Sequence, residues 1–162
     1  MTKKRLKDIF YSTILCSLII FTLTSCSSGK STDKNVSIKD IDEKIKESVD
    51  ISNMNLGDSE KLQKLYDINS EDLEDFMLYT PSTHIEANEV AIMKVKDYSK
   101  IDDIKGKISA RIDSQSVNFK DYLPDEYYLI DKHVLKVRDN YILFAISEDA
   151  GKIEKIFDES FK

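Results

Sequence analysis

Four side chains of types that bind ligands lie on one face of a predicted helix. Arg111, Gln115, Phe119 and Tyr122 follow each other at spacings of four, four and three residues, which places them on the same side of an α-helix. Arginine can bind a carboxylate through two parallel hydrogen bonds, and aromatic side chains are frequent anchors of binding surfaces. Buried arginine is unfavourable unless it is paired, so the simpler interpretation of Arg111 is a structural tie to a neighbouring carboxylate. We treat these four residues as a candidate recognition face and leave both interpretations open.

Catalytic and metal-binding patterns are weak by comparison. The sequence has two histidines, and His84 lies near Ser82, Glu86 and Glu89. These neighbours could be assembled into a Ser/His/Glu trio or a metal site, but such local sets are common by chance. The sequence has neither the Gly-x-Ser-x-Gly elbow of hydrolases nor a glycine-rich phosphate loop. We therefore predict no catalytic residues, no metal site and no cofactor.

The residues around Cys26 predict a different kind of chemistry. Residues 1–8 are basic and residues 9–23 are apolar or small, which is the order found in a secretory signal. The apolar run is short for a membrane span, which needs about 20 residues. It ends in Leu23-Thr24-Ser25-Cys26, and a polar stretch follows at once. The other cysteine, Cys16, lies inside the apolar run, so the pattern provides no disulfide framework and no thiolate metal site.

Leu23-Thr24-Ser25-Cys26 resembles the lipobox of bacterial lipoproteins, in which an aliphatic residue and two small residues precede a cysteine. The resemblance implies that residues 1–25 are a lipoprotein signal peptide and that the thiol of Cys26 carries diacylglycerol. Two acyl chains hold a protein stably in a bilayer, whereas one chain gives marginal binding. We therefore expect a palmitate-labelled membrane protein on the extracytoplasmic face, with residues 26–37 as a flexible tether. The alternative is an ordinary signal anchor with a chance cysteine.

The distribution of charge narrows the range of partners. The chain has a net charge of −6 at pH 7, with 41% hydrophobic and 33% charged residues. Residues 1–25 carry +3, which leaves −9 on the rest of the chain. An acidic body argues against nucleic acid, because phosphate contacts need cations, and against a domain lying flat on anionic lipid. The partners we expect are the membrane, through Cys26, and either an envelope protein or a small ligand.

Apolar spacing predicts the elements that position the candidate residues. The predicted helices cover residues 39–50, 59–66, a single turn from residue 70, 98–121 and 148–160. The predicted strands cover residues 76–80, 89–96, 133–137 and 141–146. Asp139-Asn140 suits a two-residue hairpin, residues 55–58 suit a turn, and Pro124 marks the end of the long helix.

This order predicts one α+β domain over residues 38–162. We expect a mostly antiparallel four-stranded sheet of ββαββα type, with helices on one face and N-terminal helices before it. The stripe that includes Ile108 and Ile112 is expected to lie against the sheet.

Five segments resemble one family. They read IDEKIKES, LYDINSEDLEDFMLY, EVAIMKVKD, RIDSQSVNFKDYLPDEYYLI and NYILFAISED. Together they are similar to the domain of unknown function 4358, found in lipoproteins of Firmicutes. The family's helix with Arg and Gln, followed by Phe and Tyr before Pro, matches Arg111, Gln115, Phe119, Tyr122 and Pro124. The resemblance implies a location and a domain extent, and it implies no mechanism.

The sequence as a whole favours a membrane-anchored extracytoplasmic lipoprotein with a non-enzymatic interaction or ligand-binding role. The alternative is an envelope-associated enzyme that uses carboxylates. An enzyme requires a cleft in which titratable groups converge, whereas a binding module does not.

Overall fold

The computed structural model describes residues 35–162 of the chain. The predicted signal peptide, Cys26 and most of the tether lie outside the described residues. From residue 34 onward the chain forms one compact unit, with its own cores. Within the described part, none of the helices combines the length and the apolar character needed to cross a membrane.

Five helices and five strands make up the described domain. The helices are α1 (Ile38–Ser48), α2 (Ser59–Tyr66), α3 (Ile101–Phe119), α4 (Pro124–Asp131) and α5 (Ala150–Ser160). The strands are β1 (Met54–Leu56), β2 (Leu73–Pro81), β3 (Glu89–Val95), β4 (Val134–Arg138) and β5 (Tyr141–Ile146). Short 3-10 turns at Ser70–Asp72 and Tyr98–Lys100 precede β2 and α3.

Side-chain caps explain where the first two helices begin. The Ser37 hydroxyl accepts a hydrogen bond from the Asp40 amide at 3.3 Å, and the Asp58 carboxylate accepts one from the Lys61 amide at 2.9 Å. Each cap satisfies an amide that has no partner within its own helix. The predicted helices over 39–50 and 59–66 are thereby confirmed as α1 and α2.

The strands form one antiparallel sheet in the order β1-β2-β3-β5-β4. β3 and β5 are central, and every residue of β5 is buried. The β4–β5 hairpin turns at Asp139, whose φ is 52°, as the Asp139-Asn140 pair predicts. The prediction of four strands is wrong, because β1 adds a fifth strand at the edge beside β2.

Helices cover both faces of the sheet, so the prediction of helices on one face is also wrong. Successive side chains of a strand point to opposite faces. In β5, Ile142 and Phe144 pack with α2, α3 and α4, while Leu143 and Ala145 pack with α1 and α5. We call these sides the α3 face and the α5 face. Apolar residues on both sides of the central strands require two covers, which produces three layers.

The structure corrects two further readings of the sequence. Residues 54–56 form β1 where a turn was predicted, and the strand pairing extends to Gly57, whose amide donates to Leu78 oxygen at 2.8 Å. A Cβ at Gly57 would lie 2.8 Å from Leu78 Cδ2, so the glycine allows this close approach. Pro124 begins α4 rather than ending the long helix, since its missing N–H is no loss at a helix start.

Candidate functional site

A fully buried glutamate lies at the start of the central strand β3. Glu89 is 0% exposed, and its two carboxylate oxygens accept four hydrogen bonds. Oε1 accepts from the Tyr66 hydroxyl and from Arg111 Nε at 3.3 Å. Oε2 accepts from Arg111 Nη2 at 2.7 Å and from Gln115 Nε2 at 3.2 Å. We call Tyr66, Glu89, Arg111 and Gln115 the Glu89 cluster.

Three elements bring this cluster together. Glu89 alternates with Val90 along β3 and therefore points to the α3 face. Arg111 and Gln115 lie one turn apart on α3, so both reach the same carboxylate. Tyr66 is the last residue of α2, and its ring packs edge-on against Phe144 of β5, with ring centroids 6.2 Å apart. The packing of the Tyr66 ring thus fixes the position of its hydroxyl, which donates one of the four hydrogen bonds to Glu89.

Burial and charge set the protonation states in the cluster. Burial, followed by the neighbouring Glu89 carboxylate, raises the pKa of Tyr66 well above its usual range, so its hydroxyl remains a donor. Burial alone would lower the pKa of Arg111, but the hydrogen bonds and the attraction to Glu89 outweigh it and raise that pKa overall. Arg111 is therefore a permanent cation beside Glu89, and it supplies the charge that a buried carboxylate requires.

The structure divides the candidate recognition face. Arg111 and Gln115 meet on Glu89, which is the carboxylate partner that the structural interpretation of Arg111 requires. Phe119 is 8% exposed and belongs to the apolar core of the α3 face, whereas Tyr122, beyond the end of α3, is 81% exposed. A recognition role for the four residues as one surface stays a prediction. Ile108 and Ile112 are buried in the same core, which confirms the stripe assignment.

A groove of about 420 Å³ opens beside the cluster, between the end of α2 and the middle of α3. Its polar lining comes from Lys64, Tyr66, Asp67, Lys107, Arg111 and Ser114. Lys107 Nζ donates to the Asp67 carbonyl at 2.8 Å and so joins the two walls. The side chain of Arg111 is 18% exposed, which makes it the part of the ion pair that can meet a ligand.

A second opening, of about 460 Å³, is acidic. Its carboxylates come from Asp50, Glu86, Glu126, Glu148 and Asp149. Glu126 Oε2 accepts a hydrogen bond from the Ala87 amide at 2.7 Å. This carboxylate therefore links α4 to the loop before β3. We call this opening the acidic cleft.

The local set around His84, a kind of pattern that is common by chance, is divided in the structure. His84 is exposed in the loop between β2 and β3, and Glu89 faces the α3 side as the partner of Arg111. Over residues 35–162, no group of three His, Cys, Asp or Glu side chains is arranged to hold a metal ion.

Sequence reasoning did not identify Glu89 and Tyr66 as partners of Arg111. The signal was nevertheless present. Glu89 opens a strand that is otherwise almost wholly apolar, and Arg111 interrupts an apolar helical stripe. Opposite charges in two elements that must pack together predict an ion pair, because neither charge is stable in a core alone.

Comparison with protein families places this site in a known domain. The family model for the domain of unknown function DUF4358 matches residues 47–147. The chain belongs to the DUF4358 family. Comparisons with curated proteins and with solved structures gave no match.

The DUF4358 match contains the whole sheet and the helices of the α3 face. It therefore includes the Glu89 cluster and the groove beside it. Most of α1, and all of α5, lie outside the matched span, and so does most of the segment IDEKIKES.

Proposed function

We propose that the protein is a lipoprotein held on the extracytoplasmic face of the cell membrane by lipid on Cys26. Its DUF4358 domain would then be a non-enzymatic binding module. The observation that carries the proposal is the sequence Leu23-Thr24-Ser25-Cys26 directly after a basic and then apolar N-terminus. A thiol at that position is a nucleophile that can form the thioether to lipid.

The start of the domain supports this arrangement. Lys94 Nζ donates to Asn35 Oδ1 at 2.9 Å, and the Tyr141 hydroxyl donates to the Val36 carbonyl at 2.7 Å. Asn35, the first described residue, lies nine residues after Cys26 in the sequence. A flexible chain of that length spans roughly 17 Å by square-root scaling, which would keep the domain close to the membrane.

The anchoring test uses the two cysteines as a matched pair. The full chain is expressed in a bacterium that processes lipoproteins, and cells are fed labelled palmitate. Wild type and Cys16→Ser should both incorporate label and lose residues 1–25. Cys26→Ser should remain an unlabelled precursor of higher mass. Labelling of Cys26→Ser at the wild-type level would refute lipidation at this position.

The enzyme alternative has one observation in its favour. The acidic cleft gathers five carboxylates, and Glu86 Oε2 is buried with no hydrogen-bond partner among the described residues. We favour binding because the Glu89 cluster commits its charges to one another and still leaves arginine facing a groove. Hydrolysis of purified cell-envelope polymer by wild type, lost in Glu86→Gln but retained in Asp125→Asn, would favour the enzyme instead.

A further inference from the structure

We propose that the groove between α2 and α3 binds a small ligand through a phosphate or carboxylate group, held by the outward edge of the Arg111 guanidinium. The proposal deepens the binding role proposed above and rests on it. It names an oxyanion as the chemical class that the domain recognises.

The first observation is the fixed orientation of Arg111. Its Nε and Nη2 atoms both bind Glu89, at 3.3 and 2.7 Å, so one edge of the planar guanidinium is fully used. A guanidinium held in this way presents a second edge, formed by Nη1 and the remaining hydrogen of Nη2. That second edge matches the spacing of two oxygens of a carboxylate or phosphate. Glu89 therefore orients the arginine before any ligand arrives.

The second observation concerns access to Nη1. Arg111 makes its hydrogen bonds to protein through Nε and Nη2, and Nη1 has no partner among the described residues. Nη1 is also not among the buried polar atoms that lack a partner, so solvent reaches it. Arg111 is one of the residues that line the groove, and its side chain is 18% exposed. Glu89 itself is sealed from solvent and cannot repel the ligand through direct contact.

The third observation is the charge of the groove wall. Lys64 and Lys107 stand on opposite sides of the groove, on α2 and α3, in a chain whose net charge is negative. The one acidic residue of the lining is Asp67, whose carboxylate accepts a hydrogen bond from Gln63 Nε2 at 2.8 Å. Lys107 already bonds the Asp67 carbonyl and lies 3.4 Å from an Asp103 oxygen, so it mainly shapes the wall. Lys64 is exposed and has no ion pair within residues 35–162, which leaves its ammonium free for an anion. Ser114 adds a hydroxyl donor to the same opening.

The position of the groove favours a free small molecule over a lipid headgroup. Asn35 and Val36 join the sheet at Lys94 and Tyr141, on the α5 face. The groove belongs to α2 and α3, on the opposite face. A domain tethered from the α5 side therefore opens its groove away from the point of attachment. The volume of about 420 Å³ is in the range of small-ligand sites.

The test is a titration of the ¹⁵N-labelled domain, residues 34–162, followed by NMR. This segment contains both cores and forms one compact unit. Inorganic phosphate and succinate are the probes, and sodium chloride keeps the ionic strength constant. We expect saturable shifts in the amides of residues 64–67 and 107–114 and in the Nε–H signal of Arg111. Shifts with phosphate alone, or with succinate alone, would assign the anion type.

Three variants make the test specific. Arg111→Lys retains a charge for Glu89 but has no second edge, so affinity should fall about tenfold, the loss of one charge-assisted hydrogen bond. Arg138→Lys, which changes an arginine on β4 outside the groove, should bind like wild type. Lys64→Gln removes an exposed ammonium without disturbing the fold and should weaken binding to a smaller extent. If Arg111→Lys does not fold, Lys64→Gln decides the question.

The proposal is overturned if neither anion gives saturable shifts at these residues, or if a folded Arg111→Lys binds like wild type. If Arg111→Lys is unfolded, wild-type binding by Lys64→Gln overturns it. Arg111-dependent sedimentation with phosphatidylglycerol vesicles, absent with phosphatidylcholine vesicles, would assign the phosphate to a headgroup and overturn the small-ligand proposal. Palmitate labelling at Cys26 is unaffected by all these outcomes, so failure here is distinguishable from failure of the anchoring proposal.

Discussion

The two faces of the sheet differ in the polarity of the side chains that are buried against them. On the α5 face, Ile41, Ile45, Ile153 and Phe157 form a cover that is fully apolar where it is buried. Its polar contacts lie at the rim, as in the 2.9 Å hydrogen bond from the Tyr79 hydroxyl to Asp42. The α3 face instead buries a carboxylate, an amide and a hydroxyl in its core and pairs them with a guanidinium at the edge of the groove (the Glu89 cluster).

This difference raises the question of what the buried polar groups of the α3 face contribute. A buried ion pair is often no more stabilising than apolar residues of the same volume, so the α3 face gains little stability from its polar cluster. The α5 face shows that this fold can cover the same sheet without buried charge. The anion binding that we propose at the groove would give these charges a role that stability alone does not.

The largest expected loss of stability tests whether the helices on both faces of the sheet are needed for folding. Ile108→Asp on the α3 face and Ile153→Asp on the α5 face each place a charge among fully buried apolar residues. We expect both variants to be unfolded at 25 °C, because no partner is available to compensate the charge. Circular dichroism should show no cooperative melting. Ser109→Asp, an exposed neighbour on α3, should melt like wild type. Native-like melting of one isoleucine variant would show that its face is not needed for folding.

The next largest effect sharpens the contrast between the faces. Arg111→Ala leaves Glu89 buried and charged without its cation, so urea unfolding should show a loss of about 3–5 kcal/mol. The double variant Glu89→Leu, Arg111→Met should recover most of that loss, since the α3 face would then resemble the α5 face. It should also lose anion binding. Arg138→Ala serves as the control, because Arg138 is a half-exposed residue of the edge strand. Equal stability of the two alanine variants would contradict the structural role of Arg111.

The smallest effect concerns alkaline pH. Burial and Glu89 raise the folded-state pKa of Tyr66, whereas the unfolded chain ionises near pH 10. The hydroxyl proton therefore stabilises the folded state fully below about pH 10, and this contribution is lost as pH rises above it. Urea unfolding between pH 8 and 11 should show a shallower loss of stability in Tyr66→Phe than in wild type.

Tyr141→Phe on the α5 face is the matched comparison for Tyr66→Phe. Burial also raises the pKa of Tyr141, but the charge of Lys94 opposes the shift. Its removal should change the slope less than removal of Tyr66. A steeper change in Tyr141→Phe would mean that the α5 face, and not the α3 face, dominates the alkaline response.

Much of the fold could be predicted from the sequence, for identifiable reasons. The helices over 39–50 and 59–66, the strand over 89–96 and the Asp139-Asn140 turn follow from local signals, and the structure confirms each of them. Pro124 misled because a proline can follow one helix and also begin the next. The prediction of helices on one face failed because β5 is buried along its whole length and therefore needs cover on both faces.

The candidate site could be predicted only in part. The spacing of Arg111 and Gln115 identified one helical face, because helical neighbours are fixed by sequence distance. Their shared partner Glu89 lies 22 residues from Arg111 on another element, and local spacing carries no information about such a contact. Phe119 and Tyr122 share the spacing but not the environment, since α3 ends at Phe119.

The attachment of Asn35 and Val36 to the sheet has a mechanical consequence. A pull on the N-terminus first loads the contacts of Lys94 on β3 and Tyr141 on β5, which are adjacent interior strands of the sheet. Neither edge strand, β1 nor β4, is the first point to receive that load. Force is therefore shared by ladders on both sides of each loaded strand, and we expect stretching from residue 34 in optical tweezers to require more force than peeling from an edge strand.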